Sequence, residues 1–313
     1  MSRVGFLFAG QGAQHPGMGA YLEAVSDAVP AVWLLGAQAL GQDLRPLLFA
    51  GPQERLNETE ITQPAVLLTA LATLAALRQR GVDCSAATGL SLGEYGAWLA
   101  AGSLLPEQAL PLVRDRGRFM QEAVPIGSGG MVAVLGLAAD EVEAICDLVQ
   151  DGVAEVANYN CPGQVVVSGD MAGLAQFEQL ARDRGARRLV RLPVSAPFHC
   201  SLLKPAEQRL AVRLCDVEIR PPKVPVYTNR TGQPISEPAQ IRANLVAQVS
   251  SPVRFEQALR AMLDAGIDTF VEVGPGKGLG GFVRKIDGDA KVYQTDDEEG
   301  FETTIAALKG VYR

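Results

Sequence analysis

Histidine and cysteine are scarce in this sequence, and both shortages exclude kinds of functional site. The 313 residues include two histidines, His15 and His199. The five cysteines are scattered and contain no CxxC pair. An odd number of widely spaced cysteines argues against a disulfide framework, and the missing CxxC spacing argues against a zinc site. We therefore expect no metal site, and any chemistry that needs an imidazole must use one of two residues.

Excess positive charge and long apolar runs are absent as well. The formal net charge is −7, so nucleic acid is not an expected partner. No apolar stretch is interpreted as long enough to span a membrane, and the N-terminus has no charged leader before a cleavable apolar run. We therefore expect a cytoplasmic protein without a membrane partner.

The chain does contain enough apolar sequence for a large core. Hydrophobic residues make up 48% of it and charged residues 20%, and at this length one large domain with an insert is expected. Short apolar strands such as Val4–Phe8 and Thr269–Val273 alternate with helices, which predicts an α/β core around a parallel sheet. Predicted helices include one around 21–29 and one over 61–77 that has Pro64 in its first turn.

The segment over 129–194 changes character and predicts an inserted subdomain. Its pattern reads as strand, helix, strand, strand, helix, strand, which is the ferredoxin-like arrangement. The two middle strands, 154–157 and 165–168, are expected to be joined by a loop over 158–163.

Ser91 lies between two glycines at a predicted strand-to-helix junction. Gly89 and Gly93 allow a turn too tight for side chains, so the serine hydroxyl can extend over the strand end. There it faces the amide-rich N-terminus of the next helix, which can stabilise an oxyanion. The pattern indicates a nucleophile elbow, although an ordinary strand-to-helix turn can have the same sequence.

A serine nucleophile needs a base, and His199 is the stronger of the two candidates. It follows Pro197 and lies where the insert returns to the core, a position where clefts form. His15, in the glycine-rich loop over 9–19, is expected to cap or pack within that loop. No acidic residue is an evident third member of a triad, so a main-chain carbonyl or a side-chain amide is an alternative.

Arg116 is a charged residue on an apolar helix face. In the helix expected to begin at Pro106, its spacing puts it on the same face as Val113 and Met120. A buried guanidinium must be paired. Its partner is either a protein carboxylate such as Glu122 or an anionic group of a substrate.

Six short motifs occur in order along the chain. They are FAGQGAQ from Phe8, GLSLGEY from Gly89, RGRFMQ from Arg116, NYNCPGQ from Asn158, FH from Phe198 and EVGPG from Glu272. This set resembles the malonyl-CoA:acyl-carrier-protein transacylases, the acyltransferase family of fatty acid and polyketide synthesis. The resemblance implies a hydrolase-like α/β core over 1–126 and 198–313 with the ferredoxin-like subdomain over 127–197.

The resemblance also implies a role for each candidate catalytic residue. Ser91 would be the acylated nucleophile and His199 its general base. Gln248 would orient the imidazole through its main-chain carbonyl, which explains the missing acid. The backbone amides of Gln11 and Leu92 would form the oxyanion hole.

The same resemblance suggests how the substrate is held. Arg116 would bind the malonyl carboxylate, Phe198 would crowd an α-methyl group, and Asn160 is a further expected substrate contact. Leu90 departs from many members of the family, which have a histidine immediately before the serine. Leu90 cannot form a hydrogen bond through its side chain, so the rate or its pH dependence can differ.

The implied activity is transfer of a malonyl group from malonyl-CoA to the phosphopantetheine thiol of acyl carrier protein through a seryl ester. Fatty acid biosynthesis is the favoured pathway, and a discrete acyltransferase of a polyketide pathway is the alternative. No cofactor is expected, because the carrier protein brings the phosphopantetheine. Two other hypotheses stay open: a serine thioesterase or esterase with an acid after the serine, and a non-catalytic scaffold that only docks carrier proteins.

We expect a monomer that docks the carrier protein through a local basic surface. Carrier proteins are typically acidic, and this chain is acidic too. The candidate contacts are the arginines of the subdomain, Arg182, Arg184, Arg187, Arg188 and Arg191. The alternative is a solvated helix end whose arginines have no specific partner.

Overall fold

Two β-sheets frame the protein, and each draws strands from distant parts of the chain. The computed structural model describes residues 3–125, 127–194 and 196–309. The strands in these ranges are β1 Val4–Phe8, β2 Ala86–Gly89, β3 Gly129–Leu135, β4 Ala154–Cys161, β5 Gln164–Asp170, β6 Arg188–Arg191, β7 Val226–Tyr227, β8 Val253–Arg254, β9 Thr269–Val273 and β10 Lys291–Gln294. The α-helices are α1 Leu22–Val25, α2 Val29–Leu40, α3 Arg45–Ala50, α4 Gln53–Leu56, α5 Thr59–Gln79, α6 Gly93–Ala100, α7 Pro106–Glu122, α8 Ala139–Cys146, α9 Met171–Asp183, α10 Lys204–Leu214, α11 Pro238–Gln248, α12 Phe255–Asp264, α13 Leu279–Ile286 and α14 Glu298–Leu308.

The first sheet has the order β10–β9–β1–β2–β7, and all of its neighbouring strands are parallel. β1 lies at the centre and is buried along its whole length, as its continuous apolar run predicts. In an open parallel sheet the carboxyl ends of the strands share one edge, and ligands bind there. That edge carries the glycine-rich loop after β1 and the serine turn after β2. The predicted parallel α/β core is confirmed.

The second sheet has the order β6–β3–β5–β4–β8. Its first four strands pair antiparallel and follow the predicted sequence of strand, helix, strand, strand, helix, strand. The fifth strand, β8, pairs parallel with β4 although it comes from the chain after residue 198. The pairing of β8 with β4 therefore connects the inserted segment to the rest of the protein by main-chain hydrogen bonds. Ile126, the residue before the predicted subdomain, lies outside the described residues.

The two faces of the second sheet pack against different partners. Val132 and Val167 point to one face and pack against Phe177 of α9. Met131 and Val166 point to the other face and join the main hydrophobic core. Because alternate residues of a strand face opposite sides, the face that carries Met131 can line a site between the two sheets.

Two helix predictions differ from the structure. The helix expected over 21–29 is interrupted at Ser26, where the backbone is extended and the hydroxyl accepts a hydrogen bond from the Ala28 N–H. The long helix begins at Thr59, so Pro64 lies in its second turn and not in its first.

The loop expected over 158–163 is shorter than predicted. β4 continues to Cys161, which leaves a tight turn at Pro162 and Gly163. Asn158 is held in the strand because it pairs with β5 on one side and with β8 on the other. A polar sequence reads as a loop by composition, but pairing on both sides overrides that preference.

α5 is long and apolar enough to cross a membrane by length and composition. The expectation that no segment reaches this length is therefore wrong for this helix. Its most apolar window is 83% buried inside the protein, where it packs against α2 and α7. Such burial is typical of a core helix.

Glu272, which begins the last of the six motifs, stabilises a helix end. It lies in β9, is 2% exposed, and its carboxylate accepts hydrogen bonds from the N–H groups of Gly278, Leu279 and Gly280 at 3.0, 3.1 and 3.2 Å. These N–H groups form the start of α13 and have no acceptor within the helix. This motif therefore has a structural explanation.

Replacing Glu272 with alanine is expected to lower the free energy of unfolding by about 1–3 kcal/mol, because it leaves buried N–H donors without acceptors. Chemical denaturation measures this loss. Glu218→Ala is the matched control, because Glu218 is half exposed and its carboxylate forms an exposed ion pair with Arg220. A loss no larger than that of the control would contradict the capping role.

Candidate active site

The turn after β2 holds Ser91 in a conformation that few residues adopt. Ser91 has φ of 54°, in the left-handed region. A Cβ at Gly89 would lie 2.1 Å from the carbonyl carbon of Gly93, and one at Gly93 would lie 1.9 Å from the Phe8 oxygen. Both positions require glycine for this reason. The tight turn predicted from the two glycines is present.

The Ser91 side chain meets His199 from a distant part of the chain. Ser91 Oγ lies 2.6 Å from His199 Nε2, and His199 Nδ1 lies 2.9 Å from the Gln248 main-chain oxygen. A carbonyl oxygen can only accept, so Nδ1 carries the proton and Nε2 is free to accept the serine hydroxyl. This arrangement suits a nucleophile with its general base.

His199 is held in its neutral form. It is 2% exposed, and burial together with the nearby Arg116 guanidinium lowers the pKa of the imidazole to about 4. A neutral imidazole can accept a proton at physiological pH.

His15 does not contact this pair. Its Nε2 lies 2.8 Å from Asp296 Oδ1, and its Nδ1 lies 3.1 Å from the Pro16 oxygen. One ring nitrogen therefore contacts its own loop, as expected, but the other binds a distant aspartate that the sequence did not suggest.

Arg116 is buried at the same place and faces Ser91. It is 1% exposed, and its Nη1 donates to Gln63 Oε1 at 2.8 Å. Its Nη2 donates to Gln248 Oε1 at 2.9 Å and to Ser91 Oγ at 3.3 Å. The inward orientation predicted from the helix spacing is present.

Arg116 forms no ion pair with a carboxylate within the described ranges: its hydrogen-bond acceptors are neutral oxygens, and its guanidinium carbon lies 5.6 Å from the centre of the Tyr95 ring. Glu122, the sequence candidate for a buried ion pair, instead binds Arg209 at 2.6 Å near the surface. A buried guanidinium without a counterion is costly unless a ligand supplies one. The position of Arg116 therefore favours an anionic ligand.

A cavity of about 130 Å³ opens beside these residues, between the two sheets. Gln11 and Leu90 line it from the first sheet, and Asn158 and Leu192 line it from the second. A cavity of about 150 Å³ can hold benzene, and a malonyl group has the same number of heavy atoms. The space therefore fits a short acyl group.

The other expected substrate contacts also line this cavity. Phe198 and Asn160 are 6% and 5% exposed. Asn160 Oδ1 is buried and has no hydrogen-bond partner among the described residues. Such an atom can accept a hydrogen bond from a ligand.

Gln11 and Leu92, the expected oxyanion-hole residues, both line the cavity. Leu92 immediately precedes α6, so its N–H has no acceptor within the helix. Over the described part of the chain, neither main-chain N–H donates to a protein acceptor. Both are available to an oxyanion.

Leu90, which precedes the serine, and Cys200, which follows the histidine, both have packing roles. Leu90 is partly buried against the second apolar cluster. Cys200 is 1% exposed, its thiol donates to the Pro197 oxygen at 3.2 Å, and burial raises its pKa to about 11. Cys200 is therefore a thiol and not a thiolate nucleophile at physiological pH.

Sequence reasoning missed four polar residues that surround this site: Gln63, Glu94, Asn229 and Asn244. Asn229 Oδ1 accepts a hydrogen bond from the Ser91 N–H at 2.7 Å. A signal for Asn229 was available, because it follows β7, the strand beside the elbow strand, at the same edge of the sheet. Glu94 lies within the GLSLGEY motif, but the motif gave it no role, and the sequences around Gln63 and Asn244 give no local sign of the site.

The candidate docking arginines do not form one uniform surface. Arg182 and Arg191 both pair with Glu178, at 3.4 and 2.7 Å. The remaining three, Arg184, Arg187 and Arg188, are exposed and have no carboxylate partner in the ranges that the structure covers. Arg188 is four residues before the cavity-lining Leu192, an extended distance of about 13 Å, and alternation puts both on one face.

Comparison with known proteins gives a consistent result. Residues 5–279 match the family described as acyl transferase domain. The chain is similar to malonyl CoA-acyl carrier protein transacylase of Bacillus subtilis (strain 168), with 40% identity over 311 residues that cover 99% of this chain and 98% of the relative. The crystal structure of malonyl CoA-acyl carrier protein transacylase from Clostridium perfringens has a TM-score of 0.96 at 41% identity, and the match covers 99% and 98% of the two chains.

A further similar structure contains a partner protein. It is a malonyl-transacylase in complex with its type II polyketide synthase acyl-carrier protein, with a TM-score of 0.94 at 35% identity and coverage of 98% of this chain and 100% of that one. The chain belongs to the malonyl-CoA–acyl carrier protein transacylases of the acyl transferase family.

Proposed function

We propose that this protein transfers a malonyl group from malonyl-CoA to the phosphopantetheine thiol of acyl carrier protein. One observation carries the proposal: the Ser91–His199 pair opens on a small cavity that also contains a buried guanidinium without a carboxylate partner among the described residues. A serine–histidine pair supports acyl transfer, and an unpaired buried cation supports an acyl group with a carboxylate. The names of the relatives support the same substrate and acceptor.

In the first half-reaction, Ser91 Oγ bonds to the thioester carbonyl carbon of malonyl-CoA while its proton passes to His199 Nε2. The carbonyl oxygen becomes an oxyanion next to the N–H groups of Gln11 and Leu92. The carbon–sulfur bond then breaks, and the CoA sulfur leaves with the proton from His199. A malonyl ester of Ser91 remains.

In the second half-reaction, the carrier thiol gives its proton to His199 and attacks the seryl ester. The same oxyanion hole serves this step. Ser91 Oγ then leaves as the carbon–oxygen bond breaks and takes the proton back from His199. Both steps use the protein's own residues, with CoA and phosphopantetheine entering as parts of the substrates.

Fatty acid synthesis is the pathway that we propose, and polyketide synthesis is the alternative. The transacylases of Bacillus subtilis and Staphylococcus aureus support transfer to acyl carrier protein. The similar complex with a type II polyketide carrier favours the alternative acceptor. Transfer rates to a fatty acid carrier and to a polyketide carrier, measured side by side, distinguish the two.

Hydrolysis is the competing activity. A serine hydrolase would orient its histidine with an acid, whereas His199 contacts a main-chain oxygen. Incubation with malonyl-CoA, with and without carrier protein, separates the activities. Malonyl transfer predicts a stable seryl ester that carrier discharges, whereas steady release of malonate without carrier would favour a thioesterase. A scaffold would do neither.

We also propose how the chain is divided into domains and where the protein acts. The order of the first four strands in the second sheet supports a ferredoxin-like subdomain over 127–197 on a hydrolase-like core over 1–126 and 198–313. We also propose a cytoplasmic monomer.

The rate of acylation is expected to stay nearly constant as pH falls from 7 to 5.5. His199 has its pKa lowered from 6.5 to about 4, so it remains neutral over this interval and becomes protonated only below it. An unshifted histidine would be only about one-tenth neutral at pH 5.5. The pH dependence of kcat/KM for malonyl-CoA measures this limb for the free enzyme. A midpoint near 6.5 would contradict the effect of burial and Arg116 on His199.

Arg188→Glu is expected to raise KM for carrier protein several-fold and to leave KM for malonyl-CoA unchanged. Arg188 is exposed, has no carboxylate partner among the described residues, and lies on the cavity-facing side of β6. Lys291→Glu is the matched control, because it makes the same charge change at the amino end of β10, away from the site. Equal effects of both variants, or equal effects on both substrates, would argue against docking at Arg188.

A further inference from the structure

Glu94 is a fully buried carboxylate behind the elbow that the proposed reaction does not use. It is the second residue of α6, is 0% exposed, and forms no ion pair within the described ranges. Its oxygens accept four hydrogen bonds instead. Oε1 accepts from Trp98 Nε1 at 3.1 Å and from Asn244 Nδ2 at 2.6 Å. Oε2 accepts from the Asn229 main-chain N–H at 2.9 Å and from Gln248 Nε2 at 3.0 Å.

The Gln248 side chain connects this carboxylate to the cation that faces the cavity. Its Nε2 donates to Glu94 Oε2, at 2.9 Å to the Ser91 main-chain oxygen and at 3.2 Å to Asn229 Oδ1. Its Oε1 therefore points the other way and accepts from Arg116 Nη2 at 2.9 Å. The reversed amide would direct its NH₂ group at the guanidinium and its oxygen at three acceptors. Glu94 supplies the charged acceptor of these three, so it strengthens the orientation in which the amide oxygen faces Arg116.

Asn229 is a second connection from Glu94 to the site. Its main-chain N–H donates to the Glu94 carboxylate, and its side chain contacts the elbow on both sides of Leu90. Oδ1 accepts from the Ser91 N–H at 2.7 Å, and Nδ2 donates to the Gly89 oxygen at 2.6 Å. Loss of the carboxylate would therefore affect the nucleophile for every acyl group, whereas the connection through Gln248 concerns the group that Arg116 binds.

We propose that Glu94 is a positioning residue for acyl-group selection: its carboxylate fixes the Gln248 amide, and that amide holds the Arg116 guanidinium where a malonyl carboxylate can pair with it. The inference rests on the proposed malonyl transfer. All four groups around Glu94 are donors, so only a group that accepts through both oxygens satisfies them. Glutamine at this position keeps the shape but directs an NH₂ group at one pair of donors.

Glu94→Gln is expected to lower the ratio of kcat/KM for malonyl-CoA to that for acetyl-CoA by about 10-fold or more, because a buried donor pair loses its acceptor. The ratio is the measure, since damage through Asn229 affects both acyl groups equally. Trp98→Phe is the matched control: it removes one donor to Oε1 and leaves Gln248 in place, so the ratio should stay at the wild-type value. An unchanged ratio in folded Glu94→Gln would overturn the proposal.

Gln248→Met keeps the inference testable where Glu94→Gln does not fold. Methionine removes the amide but retains the main-chain carbonyl that contacts His199, so the ratio should fall in the same direction. An unchanged ratio in this variant would also overturn the proposal.

Where both variants fold, the double variant should lower the malonyl-to-acetyl ratio no further than either single variant does. If the two decreases instead add, Glu94 does not act through Gln248. Failure of the wild-type protein to transfer malonyl would instead overturn the proposed function.

Discussion

Ser91→Ala is expected to abolish the malonyl adduct that forms when the protein is mixed with malonyl-CoA. Ser91 Oγ is the atom that lies 2.6 Å from the neutral His199 imidazole, and alanine leaves the base with nothing to deprotonate. Loss of a serine nucleophile costs about 10⁴- to 10⁶-fold in rate, even where the oxyanion hole and substrate binding remain. Intact-mass spectrometry detects the adduct, and a discontinuous assay measures transfer to carrier protein.

Cys200→Ala is the control for this experiment, because the thiol is the nucleophilic group next to the base in the chain. Its raised pKa and its hydrogen bond to Pro197 indicate that the adduct should form normally in this variant. An adduct that persists in Ser91→Ala would contradict the nucleophile assignment. Its loss in the double variant would then identify the thiol as the acylated group.

The features that the sequence predicted depend on local patterns. Gly89 and Gly93 determine a turn that no other residue could form, and the helical spacing of Arg116 determines the face on which it lies. His199 was favoured over the second histidine, His15, because it follows Pro197 where the insert returns to the core. Each of these conclusions needs only a short stretch of sequence.

The features that the sequence did not predict depend on contacts between distant segments. Glu94 belongs to the GLSLGEY motif, but by position it is an acidic residue in the first turn of a helix, where a negative charge is favourable without any contact to the site. Its burial and its bonds to Asn229 and Asn244 exist only because two later segments fold over the elbow. β8 has two residues, too few for any periodic pattern, and pairing with β4 defines it as a strand. Such features follow from tertiary packing and leave little trace in local sequence.

Arg116→Ala is expected to lower kcat/KM for malonyl-CoA by about 10²- to 10⁴-fold and to leave acetyl transfer unchanged or higher. Removing one partner of a buried charge pair costs about 3–5 kcal/mol, which corresponds to this loss. An acetyl group gives Arg116 no counterion, so the wild-type site rejects it more strongly than an apolar pocket could. Alanine removes that penalty as well as the malonyl contact. Competition between the two acyl-CoA substrates, read by intact mass, measures the ratio.

Arg114→Ala is the matched control, because Arg114 lies on the same helix but donates to the Leu40 oxygen, away from the cavity. Its acyl-group ratio should equal that of the wild type.

Arg116→Ala has a second expected result, since the guanidinium is one of the two causes that lower the pKa of His199. The acid limb of acetyl transfer should move to higher pH in this variant. A wild-type ratio in Arg116→Ala would mean that another group binds the malonyl carboxylate. A changed ratio with an unmoved acid limb would mean that burial alone keeps His199 neutral.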